Sequence, residues 1–467
     1  MKLYNGVRLV DGPCLPNVAR IDHGAIPMIL SMMSNGIQVD LDRFAKMDKE
    51  LTLDMDRITE EVKDATGYYC NLGSGDQVAD LLFKKMGLKQ ARFKLTAGGN
   101  RESVEEEVLL AIQHDHPVVP KILQYKELGK LRGTYVAPMP KLAVHVSPGV
   151  WRMFPNLTTT RVPSGRLACK EPNLLAMPTR TERGKDVRRC FVAADGWKIV
   201  SIDYSQIEPR VTAHRSMDEG LLRVYQNGED IYSDFAISAF KIVDQRYKDD
   251  SGKWQYPGVD KMTHRYPAKT CVLATFYDVT AKGLLEQMPV VCAACSVEAS
   301  EHTKKSPRCG FRSFWNEDKC QDLINSFYLK YPGVLEMRAE DHHRLRQKGY
   351  LWDMWGRILH VAAIRSVLRW VVSAALREAG NFPIQSGAQG CIKLSMAAVQ
   401  DDLEDAHMLD VARPILQLHD ELIFEARDDV VEDLFELVKW RFETGVPLNV
   451  PIKAGEAVAQ TWGDLPD

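Results

Sequence analysis

Three consecutive ionisable residues, His419, Asp420 and Glu421, interrupt the apolar run ILQLHDELIFEA (415–426). Another acid, Asp203, ends the apolar run KIVSID (198–203) and is followed by YSQIEPRV. An isolated carboxylate in apolar surroundings is costly unless it is paired or bound to a cation. Two of them at strand tips provide what Mg²⁺ favours, one or two carboxylates with substrate phosphates completing the shell. Two such ions, roughly 3.5–4 Å apart, can clamp an attacking and a leaving oxygen. The plainer alternative for Asp203 is a turn or helix-capping acid.

Cations come from HRYPAKTCVLATFYD (264–278), where Arg265, Lys269, Leu273 and Tyr277 recur every four residues and share a helix face. Pro267 is tolerated only in a first turn, so the helix is expected to start just before it. Two cations at a helix N-terminus oppose the macrodipole, which makes sense where a triphosphate supplies negative charge. An ordinary basic helix start is the alternative. Of ten cysteines, Cys292, Cys295, Cys309 and Cys320 follow C-x2-C-x13-C-x10-C. Four thiolates suit a tetrahedral structural Zn²⁺, with His302 as a substitute ligand and free thiols as the alternative.

These residues need elements to hold them. The chain has 467 residues, 45% hydrophobic, enough for about two to four domains or subdomains. Net charge is −3 and excludes no partner, but residues 121–172 carry nine Lys or Arg against two acids. Such a block is either a solvated face or the footprint of a phosphate backbone. The N-terminus lacks the apolar stretch of a signal peptide, and no apolar run reaches the ~20 residues of a membrane span. The expected location is the cytoplasm, that of the host cell if the source is viral. Periodicity predicts helix over 24–66 and over most of 67–147. Strand is expected in SPGVWRMFPNLTTTRV (147–162) and GWKIVSIDYS (196–205), and helix follows from QIEPRV. Residues 216–394 read as mainly helical, interrupted by the Cys-rich stretch. A helix over Ile392–Leu403, a hairpin around Asp420 and an amphipathic helix from Asp428 close the chain.

DYSQIEPR at Asp203, RYPAK…Y from Arg265 to Tyr277, and HDE at 419–421 stand in the order of the A, B and C motifs of family A DNA polymerases, the family of bacterial DNA polymerase I and its phage relatives. GRLACKEPNLLAMPTR (165–180), REAGNFPIQS (377–386), NLGSGDQVADLLF (71–83) and LGKLRGTY (128–135) resemble further segments of that family. The resemblance covers about residues 20–467 except the Cys-rich stretch.

The resemblance implies an α+β right-hand fold with an antiparallel palm sheet and helical fingers and thumb. The expected division is an N-terminal segment over 1–23, thumb 24–147, palm 148–215 and 395–467, and fingers 216–394 with the insertion at about 290–321. It implies a DNA-directed DNA polymerase working by two-metal nucleotidyl transfer, in phage-type replication. Asp203 and Asp420 would hold two Mg²⁺ with the Tyr204 carbonyl, and Glu421 would support them. Arg265 and Lys269 would grip the triphosphate, Lys269 protonating pyrophosphate. Gln206 and Tyr232 would lie by the nucleotide. Glu208, bonded to Tyr277, would exclude a 2′-hydroxyl, and Tyr277 would stack at the templating position. Arg166, Arg377, Asn381, Gln385 and His419 would face the minor groove or primer end. Asn71, Lys130, Arg132 and Thr134 would hold the duplex in the thumb.

Three positions depart from the family pattern. Leu273 replaces an aromatic residue that would lie against the nucleotide sugar. Asp278 replaces the usual Gly, and Tyr232 stands where a His is common. With about 20 residues before the thumb, the chain is expected to be a polymerase module without an exonuclease domain. Its partners would be primer–template DNA, dNTPs, and a separate exonuclease or replisome protein. A monomer is expected. A single-subunit RNA polymerase-like enzyme and a non-catalytic DNA-binding relative remain the alternatives.

Overall fold

The computed structural model describes residues 6–90, 102–113, 115–179, 181–289 and 314–466. Two helices, α1 (Leu15–Gly24) and α2 (Ile26–Asn35), open the chain. The helix expected over 24–66 is broken at Gly36, whose φ is +59° and where a Cβ would come 2.8 Å from the Met153 carbonyl oxygen. Ile37–Val39 then pairs antiparallel with Val150–Met153. Only after it does α3 (Leu41–Thr66) begin, capped by Asp40, which accepts the Arg43 N–H at 2.9 Å. The apolar periodicity of α2 and α3 is continuous, so it hides this interruption.

α3 packs on α4 (Val118–Leu131). The strand expected over 147–162 is split around Pro155: Val150–Met153 joins the Ile37 strand, and Asn156–Thr158 pairs with Ala168–Lys170. Proline has no N–H to give a ladder, which accounts for the change of partner.

The central sheet has four antiparallel strands: β1 (Trp197–Tyr204), β2 (Ala412–Leu418), β3 (Glu421–Arg427) and β4 (Ala454–Ala459), in the order β2-β3-β1-β4. β1 is buried from Ile199 to Ile202, as a strand paired on both edges should be. Helix α5 (Ile207–Ser216) leaves β1 directly, through Gln206 in the left-handed region at φ +57°.

Further helices include α6 (Ile231–Ala239), α7 (Tyr266–Phe276), α8 (Glu317–Lys330), α9 (Pro332–Lys348), α10 (Arg369–Asp405) and α11 (Val431–Thr444). The helix expected at Ile392 is the last part of α10, which runs 37 residues and passes through Pro383. Its middle is buried almost all round, so packing holds it across the hydrogen bond that proline removes. α1 packs on α10, α2 on β2, and α11 on both α10 and β1. A buried cluster ties α1 to α10: Asp22 accepts from Lys393 Nζ at 2.7 Å and from Arg357 Nη2 at 2.7 Å. The sheet and its helices are segregated, an α+β arrangement.

Candidate active site

Register alone brings the two acids together, although Asp203 is exposed rather than buried as its apolar flank suggested, because it stands at the end of the strand. Asp203 stands opposite Glu421 on one side and Gly455 on the other. The Tyr204 N–H donates to the Asp420 carbonyl at 3.0 Å, fixing the hairpin tip to the end of β1. The tip is a two-residue loop with His419 at φ +56°, a position that favours glycine. Gln389 (2.8 Å) and Gln417 both donate side-chain amides to the His419 carbonyl and hold that conformation. Gly455 is needed opposite, because a Cβ there would collide with Asp203 Oδ1. Beneath, the Tyr204 ring stacks on Phe442 at 4.2 Å and its hydroxyl meets Ser395 Oγ at 2.7 Å.

Desolvation by the surrounding protein raises the Asp203 carboxyl above the usual range. Burial, reinforced by the negative charges of Glu208, Asp203 and Glu421, pushes Asp420 up to about 6. Glu421 is also raised by burial, partly offset by the Ser201 hydroxyl that donates to it and by the Arg188 charge. Carboxylates crowded by other carboxylates suit a divalent cation. Among the described residues no group of three or more His, Cys, Asp or Glu could hold a metal. Two carboxylates with phosphate and water oxygens completing the shell is the arrangement Mg²⁺ accepts. Only the deprotonated acid binds a cation, so at limiting Mg²⁺ activity is expected to fall as pH drops through about 6. Raising Mg²⁺ should move that fall to lower pH. A pH profile at two Mg²⁺ concentrations checks this, and identical profiles would remove Asp420 from the metal's ligands.

A second cluster is cationic. The Arg265 guanidinium and Lys269 Nζ lie 5.3 and 5.7 Å from the centre of the Tyr232 ring. The α-helix starts at Tyr266, just before Pro267 as expected. A π-helical turn, Lys261–Arg265, precedes α7, and Asp260 caps it by accepting from Met262 (3.0 Å) and Thr263 (2.7 Å). Arg265 is therefore one turn inside the helical path, and its charge is met by Asp230 at 2.8 and 3.1 Å. Lys269 is exposed. If Lys269 protonates pyrophosphate, as the resemblance implies, Lys269→Ala is expected to slow the chemical step about 100-fold, the size of a lost general acid. Single-turnover incorporation measures it, and a loss confined to nucleotide affinity would leave Lys269 only a binding role.

A third cluster joins residues far apart in the chain. Glu208 accepts from Arg166 Nη2 at 2.7 Å and from the Tyr277 hydroxyl. Gln385 also reaches that hydroxyl. Gln206 accepts from the Tyr225 hydroxyl at 3.2 Å. Burial and the Arg166 charge lower the His419 pKa, which keeps the ring neutral. A cleft of about 520 Å³ is lined by Leu273, Tyr277, Asp278, Arg377 and Asn381. Arg377 donates to Ser373 Oγ at 2.7 Å, whereas buried Asn381 Oδ1 has no hydrogen-bond partner.

α7 ends in a Schellman turn. The Asp278 N–H donates to Thr275 O and Val279 N–H to Ala274 O, both at 3.2 Å. The left-handed position belongs to Asp278, at φ +54°, where glycine is the usual choice. A side chain there costs about 1–2 kcal/mol.

The four thumb candidates stand apart. Asn71 accepts the Gly73 N–H at 3.0 Å, Arg132 pairs with Asp48 of α3 at 2.7 Å, and Lys130 and Thr134 are exposed beside them. The thiolate site falls on Cys292, Cys295 and Cys309, which lie outside the described residues. Cys320 is fully buried in α8, and its thiol pKa is raised by burial.

Reading the sequence missed Asp230, Ser201, Gly455 and the two glutamines behind His419. Each is a partner across the chain with no local signature, except Asp230. That residue caps α6 in the pattern DIYS, accepting from Ser233 at 3.0 Å.

The sequence model for DNA polymerase family A matches residues 41–464. The chain is 31% identical over 435 residues to the thermostable DNA polymerase I of Thermus aquaticus, covering 93% of this chain and 47% of that protein. It is 29% identical over 454 residues to DNA polymerase I of Pseudomonas aeruginosa, covering 96% and 45%. The POL domain of Pol1 from M. smegmatis, solved in complex with DNA primer-template and dNTP, superposes with a TM-score of 0.78 at 26% identity, over 96% of this chain and 72% of that one. The chain spans about half the length of the curated relatives it matches.

Proposed function

This chain belongs to DNA polymerase family A, and from that premise we propose that it is a DNA-directed DNA polymerase extending a primer 3′-hydroxyl with dNTPs. The observation that carries the reading is the meeting of Asp203 and Asp420 at one end of the sheet, in a chain that also gathers Arg265 and Lys269 on one helix face. In this reading the sheet is the palm, α3 and α4 belong to the thumb, and α6 to α9 with the start of α10 form the fingers. The family match and the neighbour solved with primer-template and dNTP support it.

Asp203 and Asp420 are the residues that would hold two Mg²⁺, with the Tyr204 carbonyl. Bound there, the ions would lower the pKa of the primer hydroxyl and neutralise charge on the transferring phosphate. The 3′-oxygen forms the new bond to the α-phosphorus as the bond to pyrophosphate breaks. Arg265 exchanges Asp230 for the triphosphate. Lys269 delivers a proton to the departing pyrophosphate. Glu208 excludes a 2′-hydroxyl, and Tyr277 stands where the templating base arrives. Arg166, Arg377, Asn381, Gln385 and His419 line the minor-groove side, whose acceptors are alike for all four pairs, so they test shape without reading sequence. Asn71, Lys130, Arg132 and Thr134 hold the duplex backbone.

A labelled primer–template with Mg²⁺ and either dNTPs or rNTPs tests the proposal. Templated addition of dNTPs is expected. A preference for rNTPs on a primer-free template would favour the RNA polymerase reading, and tight DNA binding without extension the non-catalytic one.

A further inference from the structure

Asp278 is in a position that local chemistry disfavours twice. Its backbone is left-handed, and its carboxylate stands at the C-terminal, negative end of α7. Residues that break a local rule without a local gain are expected at functional places. The compensation here comes from α9. Arg338 is 4% exposed, and its Nη2 donates to the Thr275 carbonyl at 2.7 Å and to the Phe276 carbonyl, the last-turn oxygens of α7. Its Nη1 donates no hydrogen bond and lies 3.9 Å from Asp278 Oδ1. One turn along α9, His342 Nε2 lies 3.5 Å from Asp278 Oδ2. The neighbouring His342 imidazole, followed by the Arg338 and Arg377 charges, holds the Asp278 carboxyl below its usual range.

Tyr277 sits between this cluster and another. Its backbone is the cap residue held by the Asp278 turn, and its hydroxyl is bonded to Glu208. The ring is therefore fixed at both ends, and only the hydroxyl end was expected from the sequence.

We infer that Asp278, Arg338 and His342 form a polar clamp that fixes where Tyr277 stands, and that the clamp sets how strictly the site rejects a mismatched nucleotide. The inference rests on the polymerase reading and on Tyr277 standing at the templating position. These three are positioning residues; none touches substrate. A rigid Tyr277 penalises a misshapen pair more than a correct one, because a preorganised site gains only when the pair fits. Loosening the clamp lets the ring yield, so discrimination falls further than correct incorporation does.

Asp278→Asn tests this, because asparagine tolerates the left-handed backbone and keeps the size while removing the charge. His342→Gln is the second variant, on another element. For each, kcat and KM are measured for the matched and one mismatched dNTP against a fixed template base, with Tm alongside. The expected result is a roughly tenfold rise in the mismatched-to-matched kcat/KM ratio, with matched kcat/KM reduced less than about fourfold. Asp278→Gly, which frees the turn and also lacks the charge, should show the same loss of discrimination. A merely structural role would lower matched and mismatched incorporation together, in step with Tm, and would overturn the inference. So would a ratio within about twofold of wild type in both Asp278→Asn and His342→Gln. A wild-type chain that extends no primer overturns the polymerase reading and the clamp with it. An active wild type with unaltered variants overturns the clamp alone.

Discussion

Asp420→Ala is expected to abolish templated extension, by at least about 1,000-fold, while primer–template affinity stays within about threefold of wild type. The size follows from the proposed role: losing a ligand to ions that would stabilise the transferring charge would remove several kcal/mol of transition-state stabilisation. DNA affinity survives because its contacts are proposed on the thumb and on α10, apart from the hairpin tip. A second consequence separates this residue from an ordinary structural acid. The native state raises the Asp420 pKa to about 6, so it binds the proton more tightly than the unfolded chain does. Stability then falls as pH rises from about 4 through about 6, and at neutral pH the ionised group costs about 1–3 kcal/mol. Asp420→Asn should therefore raise the Tm of the metal-free protein at pH 7, by about 1–3 °C in a chain of this size. An inactive variant that is more stable than wild type is the mark of a carboxylate kept for chemistry. Extension that persists in Asp420→Ala would remove it from the mechanism.

Glu208→Ala is expected to cut the preference for dNTPs over rNTPs by about 100-fold or more. The Glu208 carboxylate is immobilised from two sides, by Arg166 at 2.7 Å and by the Tyr277 hydroxyl. A group held this firmly cannot swing away from an added hydroxyl on the sugar, whereas alanine leaves room for it. Glu208→Gln keeps the volume and should lose much less. Matched dNTP incorporation should also weaken, by up to about tenfold, because Tyr277 and Arg166 both lose a partner. The readout is kcat/KM for each dNTP against its rNTP on one template. If the ratio does not move in Glu208→Ala, sugar selection lies elsewhere. Leu273, which lines the neighbouring cleft where the family usually has an aromatic residue, becomes the residue to test.

The two acids were legible because each breaks an apolar run, and strand pairing turns that pattern into a meeting point without further information. The face Arg265–Lys269–Leu273–Tyr277 was legible for the same reason: a helical period states which side chains share a side. What periodicity does not carry is the identity of a partner across the chain. Asp230 beneath Arg265, Gly455 against Asp203, and Gln389 and Gln417 behind His419 are each fixed by tertiary packing. Periodicity also hid the break at Gly36, since α2 and α3 continue one apolar rhythm on either side of it. Pro267 correctly marked the α-helical start at Tyr266, but it is silent about the π-helical turn Lys261–Arg265 before it. Asp278 was visible as a departure from the family pattern, but its compensation by Arg338 and His342 lies one helix away.

The most direct measurement of the central claim is the number of metal ions held at the Asp203–Asp420 end of the sheet. Mn²⁺ can replace Mg²⁺ and be counted by electron paramagnetic resonance in a complex with dideoxy-terminated primer–template and the next dNTP. The account predicts about two Mn²⁺ per wild-type complex, and clear loss of binding in Asp203→Ala and Asp420→Ala complexes that still hold DNA. Equal Mn²⁺ binding by wild type and both variants would contradict it.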